Sequence, residues 1–141
     1  MLDCLIIGDS IAVGIGQARP ECVLLAQIGI NSERWSRRFR NDTRYNNTAY
    51  KVLVISLSTN DYRSMTTDAL YAVRRTADAE IIIWILPNRI LKPLQYQIVC
   101  DIAKEFGDSV LDISKQVGPD KIHPNTIGYK EIAKKTMIPV K

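Results

Sequence analysis

Short apolar runs alternating with amphipathic segments constrain this chain more than any other feature. Leu5–Ile7, Val23–Ile28, Lys51–Leu57, Glu80–Leu86 and Val110–Leu111 read as five strands. Segments of helical period lie between them and after the last. The third run is apolar almost throughout, as expected for a strand covered on both faces. Ile11 to Ala18 reads as a short helix closed by Pro20, and Asn31 or Ser32 can cap a second running to about Arg40, with Glu33 in its first turn. A third helix is capped near Thr66 or Thr67 and carries Leu70, Val73 and Ala77 on one side. In the fourth, Leu94, Ile98, Ile102 and Phe106 recur every fourth residue before a stop at Gly107. Asn125 or Thr126 caps the last, whose Lys134 and Lys135 suit its negative end. Strand–helix alternation of this kind gives a three-layer α/β/α domain with about five parallel strands. Without a linker, repeat or low-complexity stretch, residues 1–141 read as one domain.

Composition agrees: 46% hydrophobic and 24% charged residues supply one packed core. The net charge of +4 favours an anionic partner. Cys4, Cys22 and Cys100 are odd in number and form no CxxC pair, so reduced buried thiols are expected in place of a disulfide scaffold. One histidine and no cysteine pair leave a structural zinc almost no ligands, and no metal or organic cofactor is expected. The opening Met1–Gly8 reads as a core strand and not a signal peptide, and no apolar stretch approaches membrane-spanning length. The expected location is the cytoplasm, with release by lysis or another route left open.

In an open parallel sheet, ligands bind beyond the carboxyl ends of the strands. Those ends carry Gly8-Asp9-Ser10, then Gly29, then Ser58-Thr59-Asn60-Asp61, then Asp120-Lys121-Ile122-His123-Pro124. Each type has a task in acyl transfer. Ser10 is a weak nucleophile until a base takes its proton, and His123 is the only imidazole available. Asp120 lies three residues earlier, where a tight turn brings its carboxylate to Nδ1 to orient the ring and stabilise the imidazolium. Pro124 keeps His123 out of helical geometry. The Ser10 amide at a helix N-terminus, the Gly29 amide and the Asn60 side chain can together receive a developing oxyanion.

These blocks, in this order, resemble those of the SGNH, or GDSL, hydrolases. Gly8-Asp9-Ser10 is similar to the nucleophile block and Gly29 falls at the oxyanion glycine. Ser58-Thr59-Asn60-Asp61 is similar to a Gly-x-Asn-Asp block, and Asp120-x-x-His123-Pro124 to the final one; Pro124–Tyr129 continues it. The resemblance runs from residue 5 to about 135. It implies a flavodoxin-like fold, a Ser10, Asp120, His123 triad, an oxyanion hole of Ser10, Gly29 and Asn60, and ester hydrolysis on lipids, carbohydrates or small acyl compounds. One position departs: Ser58 stands where the pattern has glycine, which bears on the Asn60 loop. The chain is also short for the family, leaving little for a lid, so an open, shallow site is expected.

Other readings of single residues are blander. Asp9 and Asp61, which could pass for a glycosidase pair, more simply brace their loops. Asp112 has no histidine close after it. Gly14-Ile15-Gly16 lacks the third glycine of a dinucleotide fingerprint, and the closing glycine of a Gly-x-Ser-x-Gly elbow is missing after Ser10. Arg34, Arg37, Arg38, Arg40 and Arg44 are interleaved with Trp35, Phe39 and Tyr45. With Trp35 and Phe39 on a core face, the arginines become a solvated face, which disfavours nucleic-acid binding. Some of them, Arg34, Arg37 and Arg38 among them, could still draw an anionic substrate towards Gly29. The expected function is hydrolysis of a small, acetyl-like ester of a carbohydrate or related small molecule. Lysophospholipase, thioesterase or acyltransferase chemistry on the same triad, or a non-catalytic glycan- or nucleic-acid-binding module, are the alternatives.

Overall fold

The computed structural model describes residues 1–62 and 66–137. Five strands, β1 (Leu2–Gly8), β2 (Val23–Ala26), β3 (Tyr50–Ser56), β4 (Ala79–Ile85) and β5 (Ser109–Leu111), form one sheet. Their order is β2-β1-β3-β4-β5 and every pairing is parallel, the flavodoxin-like arrangement. The helices are α1 (Ser10–Ala18), α2 (Ser32–Phe39), α3 (Thr43–Asn46), α4 (Thr66–Thr76), α5 (Pro93–Phe106) and α6 (Thr126–Lys135). The single-turn α3 has too short a pattern to be read from sequence. None of the described helices is long and apolar enough to cross a membrane.

Strand periodicity explains the layers. Leu5, Ile7, Leu53, Ile55, Ile82 and Trp84 point into one cluster, which Trp35 of α2, Leu70 of α4 and Val99 of α5 complete. The alternate residues Ile6, Val52, Val54, Ile83 and Ile85 point into a second, shared with Ile15 of α1 and Ile132 of α6. A side-chain period of two therefore feeds two cores from one sheet. Asn31, not Ser32, caps α2, and Asn125, not Thr126, caps α6. Gly107 ends α5 at φ +73, as its spacing predicts. The residue before α4 and the side chain of Thr66 lie outside the described residues, and so does a cap there; Thr67, the other candidate, lies within the helix.

The cysteine expectation is overturned: Cys4 and Cys22 form a disulfide, and Cys100 alone is free. The physical reason is register. Leu5 pairs with Val23, an offset equal to the 18-residue separation of the cysteines, so the β1–α1–β2 crossover sets Cys4 beside Cys22. Counting thiols misses this, because neither spacing nor parity encodes strand pairing. Closing a loop of that length restricts the unfolded chain by about 3 kcal/mol. Dithiothreitol should therefore lower the urea midpoint of the wild-type protein by the equivalent amount and leave that of Cys4→Ser unmoved.

Candidate active site

Because all five strands run one way, the loops after them share one rim. Strand order reverses between β1 and β3, where a crevice opens at that rim. Gly8 ends β1 at φ +139, and a Cβ there would lie 1.8 Å from the Ser56 carbonyl oxygen. Only glycine lets the chain turn against β3 and start α1 at Ser10. Asp9 caps that helix: its Oδ1 accepts from the Ile11 amide at 3.0 Å and from the Ser56 hydroxyl at 3.1 Å. Burial pushes the Asp9 carboxyl up to about 6 against those hydrogen bonds, and its Oδ2 has no partner among the described residues. Asp9 thus braces its loop, as the sequence reading has it.

The Ser10 hydroxyl oxygen lies 2.8 Å from His123 Nε2, and His123 Nδ1 lies 2.7 Å from Asp120 Oδ2. Asp120 Oδ1 accepts from the His123 amide at 2.8 Å and the Ile122 amide at 2.9 Å. These two amides first, and then the ring, hold the Asp120 carboxyl down at about 2, so it is an acceptor at any neutral pH. The side chains of His123 and Asp120 are 46% and 52% exposed, an open site with no lid over them among the described residues. What brings the pair to Ser10 is the packing of α6 on α1. The stretch just ahead of α6 then falls at the N-terminal end of α1, although β5 is the far edge of the sheet.

Gly29 is exposed at φ +77, and among the described residues no atom beyond its chain neighbours lies within 4 Å of where a Cβ would stand, which leaves the space beside this backbone open. Asn60 donates one side-chain N–H to the Ile30 carbonyl at 3.1 Å, which ties it to the Gly29 loop and leaves its second N–H for another acceptor. Asp61 strengthens the same link. Its two carboxylate oxygens accept from the Ser32 amide at 2.7 Å and the Ser32 hydroxyl at 2.6 Å, and its carbonyl accepts from Gln95. The bracing is therefore between loops, a reach that local turn chemistry does not reveal.

Ser58 has φ +101, a conformation glycine takes freely and serine adopts only at a cost, and its buried hydroxyl oxygen has no partner among the described residues. The departure from the family pattern is thus real strain at the root of the Asn60 loop. Ser58→Gly should raise stability by about 1 kcal/mol, because relieved strain and desolvation of the hydroxyl outweigh the added chain entropy. Urea denaturation of the two proteins at one pH measures it.

Sequence reasoning passed over Asn88. Its side-chain N–H donates to the Lys121 carbonyl at 2.8 Å, and its Oδ1 accepts from the Ile90 and Leu91 amides. It joins the β4–α5 loop to the Asp120–His123 turn, where Lys121 sits at φ +62. The available signal was Pro87-Asn88 directly after the fourth strand, on the rim that carries the other blocks. Beside the turn opens a cavity of about 310 Å³, walled by Ile11, Leu86 and Ile122 and edged by Arg89, Asp112 and Lys121. Ile11 follows Ser10 and Ile122 precedes His123, so the cavity adjoins the hydrogen-bonded Ser10, His123 and Asp120. Asp112 borders it and accepts from the Ser114 amide, while Asp120 is the carboxylate on His123.

The arginine segment divides as its helical face predicts. Trp35 and Phe39 are buried. Arg37 pairs with Glu33 at 3.3 Å, Arg38 donates to Gln27 at 2.8 Å and lies over Phe39, and Arg34 is exposed.

No protein-family model matches the sequence, and no curated protein matches it. Solved structures do. A Bacteroides fragilis protein assigned as an acylhydrolase superposes with a TM-score of 0.69 at 19% identity, over 94% of this chain and 83% of that one. A Desulfitobacterium hafniense protein assigned to the lipolytic G-D-S-L family gives 0.68 at 15% identity, over 95% and 97%. The catalytic domain of a Streptococcus pneumoniae peptidoglycan O-acetyltransferase gives 0.60 at 16% identity, over 99% and 98%. At such identities the likeness is one of fold: this chain has the fold shared by these acylhydrolase and G-D-S-L-family structures.

Proposed function

We propose that the protein is a serine hydrolase of carboxylic esters that works through an acyl-enzyme. The observation that carries this reading is the continuous relay of Ser10 Oγ, His123 Nε2, His123 Nδ1 and Asp120 Oδ2, with both links at 2.8 Å or less. Ser10 Oγ attacks the ester carbonyl as His123 Nε2 takes its proton. The negative oxygen is received by the Ser10 and Gly29 amides and the second N–H of Asn60, donors that need no reorganisation when charge develops. The alcohol leaves with the proton from His123, and a water, deprotonated by the same ring, then releases the acid. Asp120, already ionised, keeps Nδ1–H engaged and so leaves Nε2 as the acceptor.

For the substrate we propose a small, acetyl-like acyl group on a carbohydrate or related compound. The full-length match to a peptidoglycan O-acetyltransferase domain and the open triad support that class. A second reading rests on the cavity beside the triad: about 310 Å³ exceeds what an acetyl group fills, which favours a longer acyl chain and lipase or thioesterase chemistry. Hydrolysis of p-nitrophenyl esters from acetyl to dodecanoyl separates the two. The expected optimum in kcat/KM is the acetyl ester; an optimum at six carbons or more transfers the assignment to the second reading. Added sugar acceptors that divert product from free acid to acyl-sugar would identify a transferase. Absence of turnover on any ester would leave a binding module.

A further inference from the structure

The large apolar side chains that this protein exposes are not spread evenly. Among the described residues they are Met1, Leu2, Ile28, Tyr62, Ile90, Leu91, Leu94, Val110, Ile127 and Met137. Six of the ten lie at the rim beyond the strand ends. Ile28 follows β2, Tyr62 follows β3, Ile90 and Leu91 follow β4, and Leu94 and Ile127 occupy the first turns of α5 and α6. Single exposed apolar residues need no explanation, but a concentration on one rim, around one crevice, does.

The β4–α5 loop is the densest part. Ile90 is 83% exposed, Leu91 49% and Leu94 43%, within the run Arg89-Ile90-Leu91-Lys92-Pro93-Leu94. No acidic residue occurs between Glu80 and Asp101. Lys121 stands beside this loop, since its carbonyl accepts from Asn88. Asp112 shares the cavity edge with Arg89 and accepts from the Ser114 amide, Asp120 holds His123, and Glu33 pairs with Arg37, so beside the loop the cations Arg89, Lys92 and Lys121 outnumber the carboxylates Asp112 and Asp120. The loop itself is held in shape by Asn88, whose Oδ1 caps the Ile90 and Leu91 amides and so presents these side chains outward.

We infer that this rim docks on the surface of an anionic amphiphile, a lipid bilayer or micelle, with Ile90, Leu91 and Leu94 entering the acyl boundary and Arg89, Lys92 and Lys121 facing the headgroups. Interleaved aliphatic tips and cations are the chemistry of an interfacial anchor. A polyanionic glycan would use the cations but would gain nothing from three exposed aliphatic chains. A second copy of the chain would bring the same positive loop against itself. The docked orientation turns the cavity between Ile11 and Ile122 towards the surface, from which an ester could enter without crossing bulk water. That last consequence rests on the hydrolase reading, whereas the docking does not.

The test is sedimentation of the intact protein, in its Ser10→Ala form so that no turnover intervenes, with phosphatidylcholine vesicles containing or lacking 30% phosphatidylglycerol. Binding to the anionic vesicles should be at least about tenfold tighter than to neutral ones and should weaken with added salt. Arg89→Gln with Lys92→Gln should lose about tenfold or more, at roughly fivefold per cation removed. Ile90→Ser with Leu91→Ser should lose a comparable factor; with Ile90 83% and Leu91 49% exposed, the thermal midpoint read alongside should move little. Equal affinity for both vesicle types, no binding, or full binding by either double variant would overturn the proposal. So would concentration-dependent self-association that the Ile90/Leu91 variant abolishes, because the rim would then be a contact between copies. Vesicle binding in a wild-type protein that hydrolyses no ester would sustain the docking and end the hydrolase reading.

Discussion

Ser10→Ala is expected to reduce kcat on p-nitrophenyl acetate by a factor on the order of 10⁶, to near the uncatalysed background. The size of the effect follows from the proposed acyl-enzyme: without Oγ there is no atom to carry the acyl group, and the proposed oxyanion donors would retain only a residual acceleration. The fold should not notice. Ser10 opens α1, but the helix is capped by the Asp9 carboxylate accepting from Ile11, and among the described residues the Ser10 hydroxyl hydrogen-bonds His123 alone. An unchanged urea midpoint alongside lost turnover would therefore separate nucleophile from structure. Retention of a tenth of the activity or more would remove Ser10 from the chemistry.

Asp120→Asn should lower kcat by about 10³–10⁴-fold with little change in KM. The carboxamide oxygen can still accept from the His123 and Ile122 amides, so the turn closes as before. Its N–H₂, however, faces Nδ1 and requires that nitrogen to be the acceptor. The ring proton then moves to Nε2, which can no longer take the proton of Ser10. Steady-state kinetics at neutral pH, with the folding midpoint as control, reads both halves of the prediction. A loss below tenfold would mean that Asp120 shapes its turn without setting the tautomer.

Much of the fold was legible because parallel α/β structure writes itself in periodicity. The run Lys51–Leu57 could belong only to a strand covered twice, and β3 indeed divides its residues between both cores. Leu94, Ile98, Ile102 and Phe106 mark a helix whatever packs on it, and Gly107 closes it through its left-handed backbone. The candidate site was legible for a related reason: parallel strands put every following loop on one rim, so residues 10, 29, 60 and 123 could be grouped without knowing the strand order.

What stayed hidden is what depends on which strand lies beside which. The sequence by itself determined the strand and helix segments, the glycines at 8, 29 and 107, and the chemical types available at the strand ends, since these follow from local sterics and period. Tertiary structure alone decided the rest. The β1–β2 register made Cys4 and Cys22 partners. The packing of α6 on α1 carried His123 from beyond the edge strand to Ser10, and the Asp61–Ser32 and Asn88–Lys121 bonds fixed the loops around them. The physical reason is range: a side chain's conformational preference is set by its neighbours in sequence, whereas a hydrogen bond between loops 29 or 33 residues apart exists only once the sheet has chosen its order.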